Sequence, residues 1–199
     1  MREPGIGRVL VASLHQSIGD LMPTRLAFYE NWLHVEGLRD GTIGLAPLYA
    51  VLSFLRQEEG DMYALVMTRA GEYAAQWTVD SMSPTQRSVI KASPVWLRRR
   101  LLLSRVRRLV RDSYRGSRAV ARMRRGTARV DVRESVFCSV REPVAHPLCL
   151  FYAAAFGRLL ALFDLPSRAS VVTCRGTGEA SCVVSMELSG QPAAAAATP

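Results

Sequence analysis

At Gly116 the hydrophobic period of the chain changes from 3.6 residues to 2. Upstream, "PVWLRRRLLLSRVRRLVRDSY" sets Val95, Leu102, Leu103, Val106, Leu109 and Val110 in one stripe, with Arg100, Arg107, Arg108, Arg111 and Arg115 opposite. That spacing predicts an amphipathic helix ended by Gly116. Downstream, Ala119, Ala121 and Met123 alternate with Val120, Arg122 and Arg124. After "RRGT", Ala128, Val130 and Val132 alternate with Arg129, Asp131 and Arg133. This predicts a hairpin with one apolar face and one arginine-rich face. Its apolar face has to be covered by other elements. A chain of 199 residues, 49% hydrophobic, can supply that cover within one domain.

The cover is expected to be helical. Ile6, Val9, Leu10, Leu14 and Ile18 keep helical spacing, with "SIGD" as the expected end. Pro23 fits the first turn of a second helix reaching Leu33, and "LRDGTIG" reads as a loop. A third helix is expected from about Leu45 to Gln57. Asp61 suits the N-cap of a fourth, with Met62, Leu65, Val66, Arg69, Tyr73 and Trp77 on one broad side. Ser83 and Pro84 open a further short helix. After the hairpin, "HPLCLFYAAAFGRLLALFDLP" reads as a buried helix with Pro147 in its first turn, its Ala and Gly residues permitting close packing.

Period 2 returns in "VVTCRGTGEASCVVSMEL". Ser170, Val172 and Cys174 share one face, and Cys182, Val184, Met186 and Leu188 share one face of the return strand. Pairing residue 174 with 182 would put 172 opposite 184 and both cysteines on the apolar side. The fold class is therefore α+β: N-terminal helices, then an antiparallel sheet of two hairpins with an intervening buried helix. Residues 1–189 form the expected domain, and the tail 190–199, "GQPAAAAATP", is expected to be disordered.

The net charge is +9, and it is concentrated. Between Arg98 and Arg133 stand fourteen arginines against two acids, Asp112 and Asp131, whereas the rest of the chain sums to −3. A basic face including Arg107, Arg108, Arg111, Arg122, Arg124 and Arg129 is expected, suited to an anionic partner. No apolar run approaches an uninterrupted membrane span of roughly 18–20 residues, and the first residues make a poor signal peptide. The expected location is cytoplasmic, where Cys138, Cys149, Cys174 and Cys182 stay reduced.

The two glycines of "CRGTGEASC" raise the question of a phosphate loop. Such loops follow a strand and open a helix. Here a strand follows, and no GK[ST] ending is present, so a hairpin turn with glycine at positive φ is the better reading. For the cysteines two readings stand side by side. One is ligation of zinc by Cys149, Cys174 and Cys182, with His146 or Glu179 as a fourth donor. The other is plain burial of small thiols, which is also the reading for Cys138. His15 and His34 show no obvious cysteine or carboxylate constellation in the sequence and are expected to be structural. Aromatic residues suit a flat apolar ligand held between helices and sheet, with Trp96, Met123, Phe137, Tyr152 and Phe156 as candidate lining.

From about Gly7 to Leu188 the chain resembles the 4-vinyl reductase domain family, particularly its bacteriochlorophyll-biosynthesis branch. The resemblance rests on "QRSVIKASPVWLRRRLLLS" leading into the arginine hairpin, on "HPLCLFYAAAFGRLL", and on "CRGTGEASCVVSMEL". It implies a fold shared with TRAPP trafficking subunits and with small-molecule sensor domains, and a homodimer. In aromatic-sensing relatives, zinc is held by cysteines matching Cys149, Cys174 and Cys182, plus a glutamate where this chain has Val171. A metal here would require another fourth ligand.

The expected function is binding of a small hydrophobic or aromatic molecule, a tetrapyrrole by the resemblance, as carrier, sensor or accessory factor in pigment synthesis. Reduction of a tetrapyrrole vinyl group is the alternative. It ranks lower because no nicotinamide fingerprint or iron–sulfur cysteine set is visible, and no catalytic residue is assigned. Anion, membrane or nucleic-acid binding through Arg98–Arg133 ranks third and predicts affinity that falls steeply with salt.

Overall fold

A computed structural model describes residues 5–33, 44–57 and 60–188. The helices are α1 (Arg8–Leu21), α2 (Leu26–Leu33), α3 (Leu45–Gln57), α4 (Met62–Asp80), α5 (Pro84–Ala92), α6 (Val95–Ser113) and α7 (Leu150–Ala161). The strands are β1 (Arg118–Arg124), β2 (Thr127–Arg133), β3 (Arg168–Thr173) and β4 (Cys182–Glu187). They form one antiparallel sheet in the order β1-β2-β4-β3. The architecture is α+β as expected, with α7 between the two hairpins.

Local chemistry accounts for several boundaries. The Ser83 hydroxyl accepts a hydrogen bond from the Gln86 amide at 3.2 Å, and Pro84 occupies the first turn of α5. Pro94 precedes α6. The β1–β2 turn uses Arg125 and Gly126, both at positive φ (48° and 80°). In the register Ala119, Ala121 and Met123 oppose Val132, Val130 and Ala128, and Arg122 opposes Arg129. Ala128, Val130, Val132, Val184 and Met186 are buried on the inner face, against one hydrophobic core shared with the helices.

Four local expectations are corrected. Helix α1 runs through "SIGD" to Leu21, Gly19 being accommodated inside it. Helix α4 buries Val66, Ala70, Gly71, Ala74 and Ala75, while Leu65 is 54% exposed and Tyr73 and Trp77 stack on each other. Its small residues face α7: a Cβ on Gly71 would lie 2.3 Å from the Phe151 carbonyl oxygen and 3.0 Å from the Ala154 Cβ. Close backbone approach, rather than aromatic burial, sets this face.

The third correction concerns β3. Val171 opposes Val184, and the register shifts between Val171 and Thr173. Val172 is exposed and Cys174 buried, so the expected alternation breaks at this irregularity. The extra residue turns Cys174 inward. Helix α7 also begins later than expected, at Leu150, with Cys149 at its N-cap. Part of the loop "LRDGTIG", His34 and the tail 190–199 lie outside the described residues.

Candidate metal centre

Three segments converge beneath the sheet. A 3-10 turn after β2, Val136–Cys138, supplies Cys138. The N-cap of α7 supplies Cys149. The β3–β4 connection begins at Cys174 and ends where β4 starts at Cys182. That connection is a hairpin loop, with Gly178 at φ 89° and the Cys174 carbonyl accepting from the Thr177 and Glu179 amides.

All four sulfurs lie within 4.8 Å of one another. Cys138 Sγ is 3.2 Å from Cys149 Sγ and 3.4 Å from both Cys174 Sγ and Cys182 Sγ. Cys149 and Cys174 are 3.9 Å apart. All four are free thiols, three of them buried and Cys138 half-buried. A tetrahedral zinc ion with Zn–S of about 2.3 Å puts its sulfurs about 3.8 Å apart. The observed separations straddle that value, so the donor set fits a four-thiolate ion with little rearrangement.

Hydrogen-bond donors surround the sulfurs. The Leu148 amide donates to Cys174 Sγ at 3.3 Å, the Arg175 amide approaches Cys182 Sγ at 3.4 Å, and the Ser135 hydroxyl lies 3.4 Å from Cys149 Sγ. Such N–H and O–H contacts are the outer partners that orient metal ligands. Hydrogen bonding with Cys138 and Cys149, with help from these amides, holds Cys174 and Cys182 below the ordinary thiol range. Cys149 is pushed upward by its bonds to Cys138, Cys174 and Cys182 and by burial. For Cys138 the bond from Cys149 pulls downward, but those with Cys174 and Cys182, together with burial, carry it upward. A divalent thiophilic ion would replace the remaining protons. Sulfur-only tetrahedral sets suit zinc or iron, and four protein ligands leave no open position for chemistry.

The expected ligand set is thereby revised at one position. Cys149, Cys174 and Cys182 come together, whereas His146 is exposed and outside the cluster, as is Glu179. Cys138 takes the fourth place. Sequence reasoning missed it because it stands eleven residues before Cys149 with no ligand spacing motif around it. Val171 faces Val184 across the strand pair and supplies no donor.

The expected lining residues are divided. Phe137, Tyr152 and Phe156 are fully buried, and with Phe151 they form a packed cluster with centroids 5.1–5.9 Å apart. Trp96 and Met123 are 66% and 43% exposed and do not join it. An open space lies instead beside the metal centre. It is a cleft of about 420 Å³ lined by residues including Tyr63, Ala64, Val144, His146, Pro147 and Leu148. Arg56 and Asp61 also line it.

The basic face is likewise divided. Arg122, Arg124 and Arg129 share a groove on the outer sheet face, joined by Arg125. Arg107 donates to the Ala121 carbonyl of β1 at 3.0 Å, and Arg108 pairs with Asp112 at 3.2 Å. Arg111 is exposed on α6 and does not line that groove. Arg98 and Arg99, also in the arginine run, cap backbone: Arg98 reaches the carbonyls of Lys91, Ser93 and Phe163, and Arg99 that of Leu188. Among the described residues no helix is long and apolar enough to cross a membrane. No protein-family model matches this chain, and no curated protein is significantly similar to it.

Proposed function

We propose that this chain is a binding module for a small, largely apolar ligand, of the 4-vinyl reductase type, in which a four-cysteine zinc centre stiffens one wall of the binding cleft. The Leu148 peptide carries the reading. Its N–H donates to Cys174 Sγ at 3.3 Å, and its carbonyl accepts from the Tyr63 hydroxyl at 2.9 Å. Leu148 also lines the cleft. The wall is therefore fixed from the metal centre on one side and from α4 on the other.

The cleft volume falls near the lower end of the roughly 300–1,000 Å³ typical of ligand pockets. That size suits a flat molecule of a few rings, and a tetrapyrrole would enter by one edge. Arg56 offers a guanidinium to a ligand carboxylate, and His146 a second polar contact. Cys138, Cys149, Cys174 and Cys182 would hold the ion, whose contribution is structural. The packed aromatic cluster around Tyr152 supports placing the ligand in this cleft rather than in the interior.

Elemental analysis and native mass spectrometry of freshly purified protein should find one equivalent of zinc per chain. Aromatic carboxylates and porphyrins should then be screened by thermal shift against the wild type and Ala64→Trp, whose indole fills the cleft. Stabilisation by a ligand should disappear in Ala64→Trp. Equal stabilisation of both proteins would place the ligand elsewhere and overturn the reading.

A further inference from the structure

We infer that the outer face of the sheet holds a binding site for the phosphate groups of a compact, multiply charged anion. The site lies on the opposite side of the sheet from Cys182 and stands independently of the cleft. Four arginines line its groove of about 670 Å³: Arg122 and Arg124 from β1, Arg125 from the turn, and Arg129 from β2.

The register makes this cluster costly unless it is occupied. Arg122 directly opposes Arg129, so their Cβ atoms are about 5 Å apart, and like charges directly opposite destabilise a strand pair. Among the described residues, none of these four side chains takes part in a hydrogen bond or an ion pair. Asp131, which also lines the groove, is turned to Arg133 at 3.7 Å. Other arginines of the same run are engaged: Arg98 and Arg99 on carbonyls, Arg107 on β1, Arg108 on Asp112. Four of the arginines without such a partner are gathered in this groove.

The lining selects the ligand class. Guanidinium forks match phosphate oxygens in a bidentate manner, and arginine is the residue suited to that contact. The groove has no aromatic lining, so the bases of a single-stranded nucleic acid would find nothing to stack on. Asp131 and Glu187 stand on the same outer face, at the β2 and β4 positions that follow Arg129 and oppose Thr127 respectively. Their negative charges oppose a long polyanion laid across the sheet. A short chain of phosphates meets less of this repulsion than a long one.

The probe is inorganic tripolyphosphate, titrated calorimetrically at near-physiological ionic strength into the full chain, with citrate, a 20-base-pair duplex and anionic phospholipid vesicles in parallel. Tripolyphosphate should bind at one site per chain, more tightly than citrate. Affinity should fall at least tenfold in Arg122→Ser and in Arg129→Ser. Both variants should melt no lower than the wild type without ligand, because each removes one member of the opposed pair, and this separates loss of binding from loss of folding. Absence of tripolyphosphate binding, or binding unchanged in both variants, would overturn the inference. Tighter binding of the duplex or the vesicles that tripolyphosphate fails to displace would overturn it in favour of that partner.

Discussion

Cys138→Ser tests the metal centre at the position the linear sequence hid. Serine is nearly isosteric, and Cys138 is half-buried, so the packing change is small. The ligand change is large, because the sulfur sits 3.2–3.4 Å from each of the other three. Removing even an outer-shell partner weakens metal binding by about 10–100-fold, and a direct ligand costs more. At 100-fold, with metal in excess, the linked loss of stability is about 2.7 kcal/mol. For a chain of 199 residues at about 2–4 °C per kcal/mol, the melting temperature should fall by roughly 5–11 °C. The assay is a differential scan of zinc-loaded and metal-free protein, with metal content measured on the same samples. Metal-free wild type and variant should melt together, and only the loaded forms should separate. His146→Ala should keep its metal and its melting temperature. A variant that retains a full equivalent of zinc and melts with the loaded wild type would refute the assignment of Cys138. Loss of metal from His146→Ala would restore the histidine reading.

Other outcomes follow from the same geometry. Gly71→Ala should destabilise by up to about 2 kcal/mol net, because overpacking of about 1–3 kcal/mol opposes the roughly 1 kcal/mol gained from helix propensity and the 2.3 Å approach to the Phe151 carbonyl puts the overpacking at its upper end; denaturant titration measures it, and an unchanged midpoint would mean α4 and α7 can part freely. Zinc uptake should release protons and weaken as pH falls, because the ligands must be deprotonated. A pH-indicator titration that records no proton release would contradict binding by thiolates. Burial raises the pKa values of Tyr63 and Tyr152, so both phenols are favoured neutral in the folded state. Their contribution to stability is complete below the unfolded tyrosine pKa near 10 and is lost as pH rises above it. Ultraviolet titration should therefore show two of the six tyrosines ionising only as the chain unfolds.

How much was legible in the sequence depends on what each signal measures. The β1–β2 hairpin was plain because one face is apolar at every alternate residue and the other carries charge. Helix α5 announced itself through Ser83 and Pro84, whose chemistry is local. Helix α4 misled, since hydrophobic spacing favours large residues such as Leu65 and Trp77, whereas its packing on α7 is set by the absence of side chain at Gly71. The register of β3 was illegible because one irregularity between Val171 and Thr173 reverses every later side chain. For the metal centre, the three cysteines found were those on recognisable strands or helix starts. Cys138 sits on a 3-10 turn, where nothing periodic marks which way a side chain points.

The strand order β1-β2-β4-β3 has a consequence for how such a chain matures. As synthesis proceeds, the first hairpin and then Cys138 and Cys149 emerge with only half a ligand set. Strand β4 completes the sheet by inserting beside β2, and its first residue, Cys182, pairs with Val132. The remaining two ligands therefore arrive with the segment that closes the sheet. Pairing across so long a stretch of sequence is intrinsically slow, because the loop must be closed before the contact rewards it. With the proposed zinc ligation, capture of the ion and closure of the sheet would be one event. A nascent chain starved of the ion would linger with the inner edge of β2 unpaired, the kind of exposed edge on which aggregation begins.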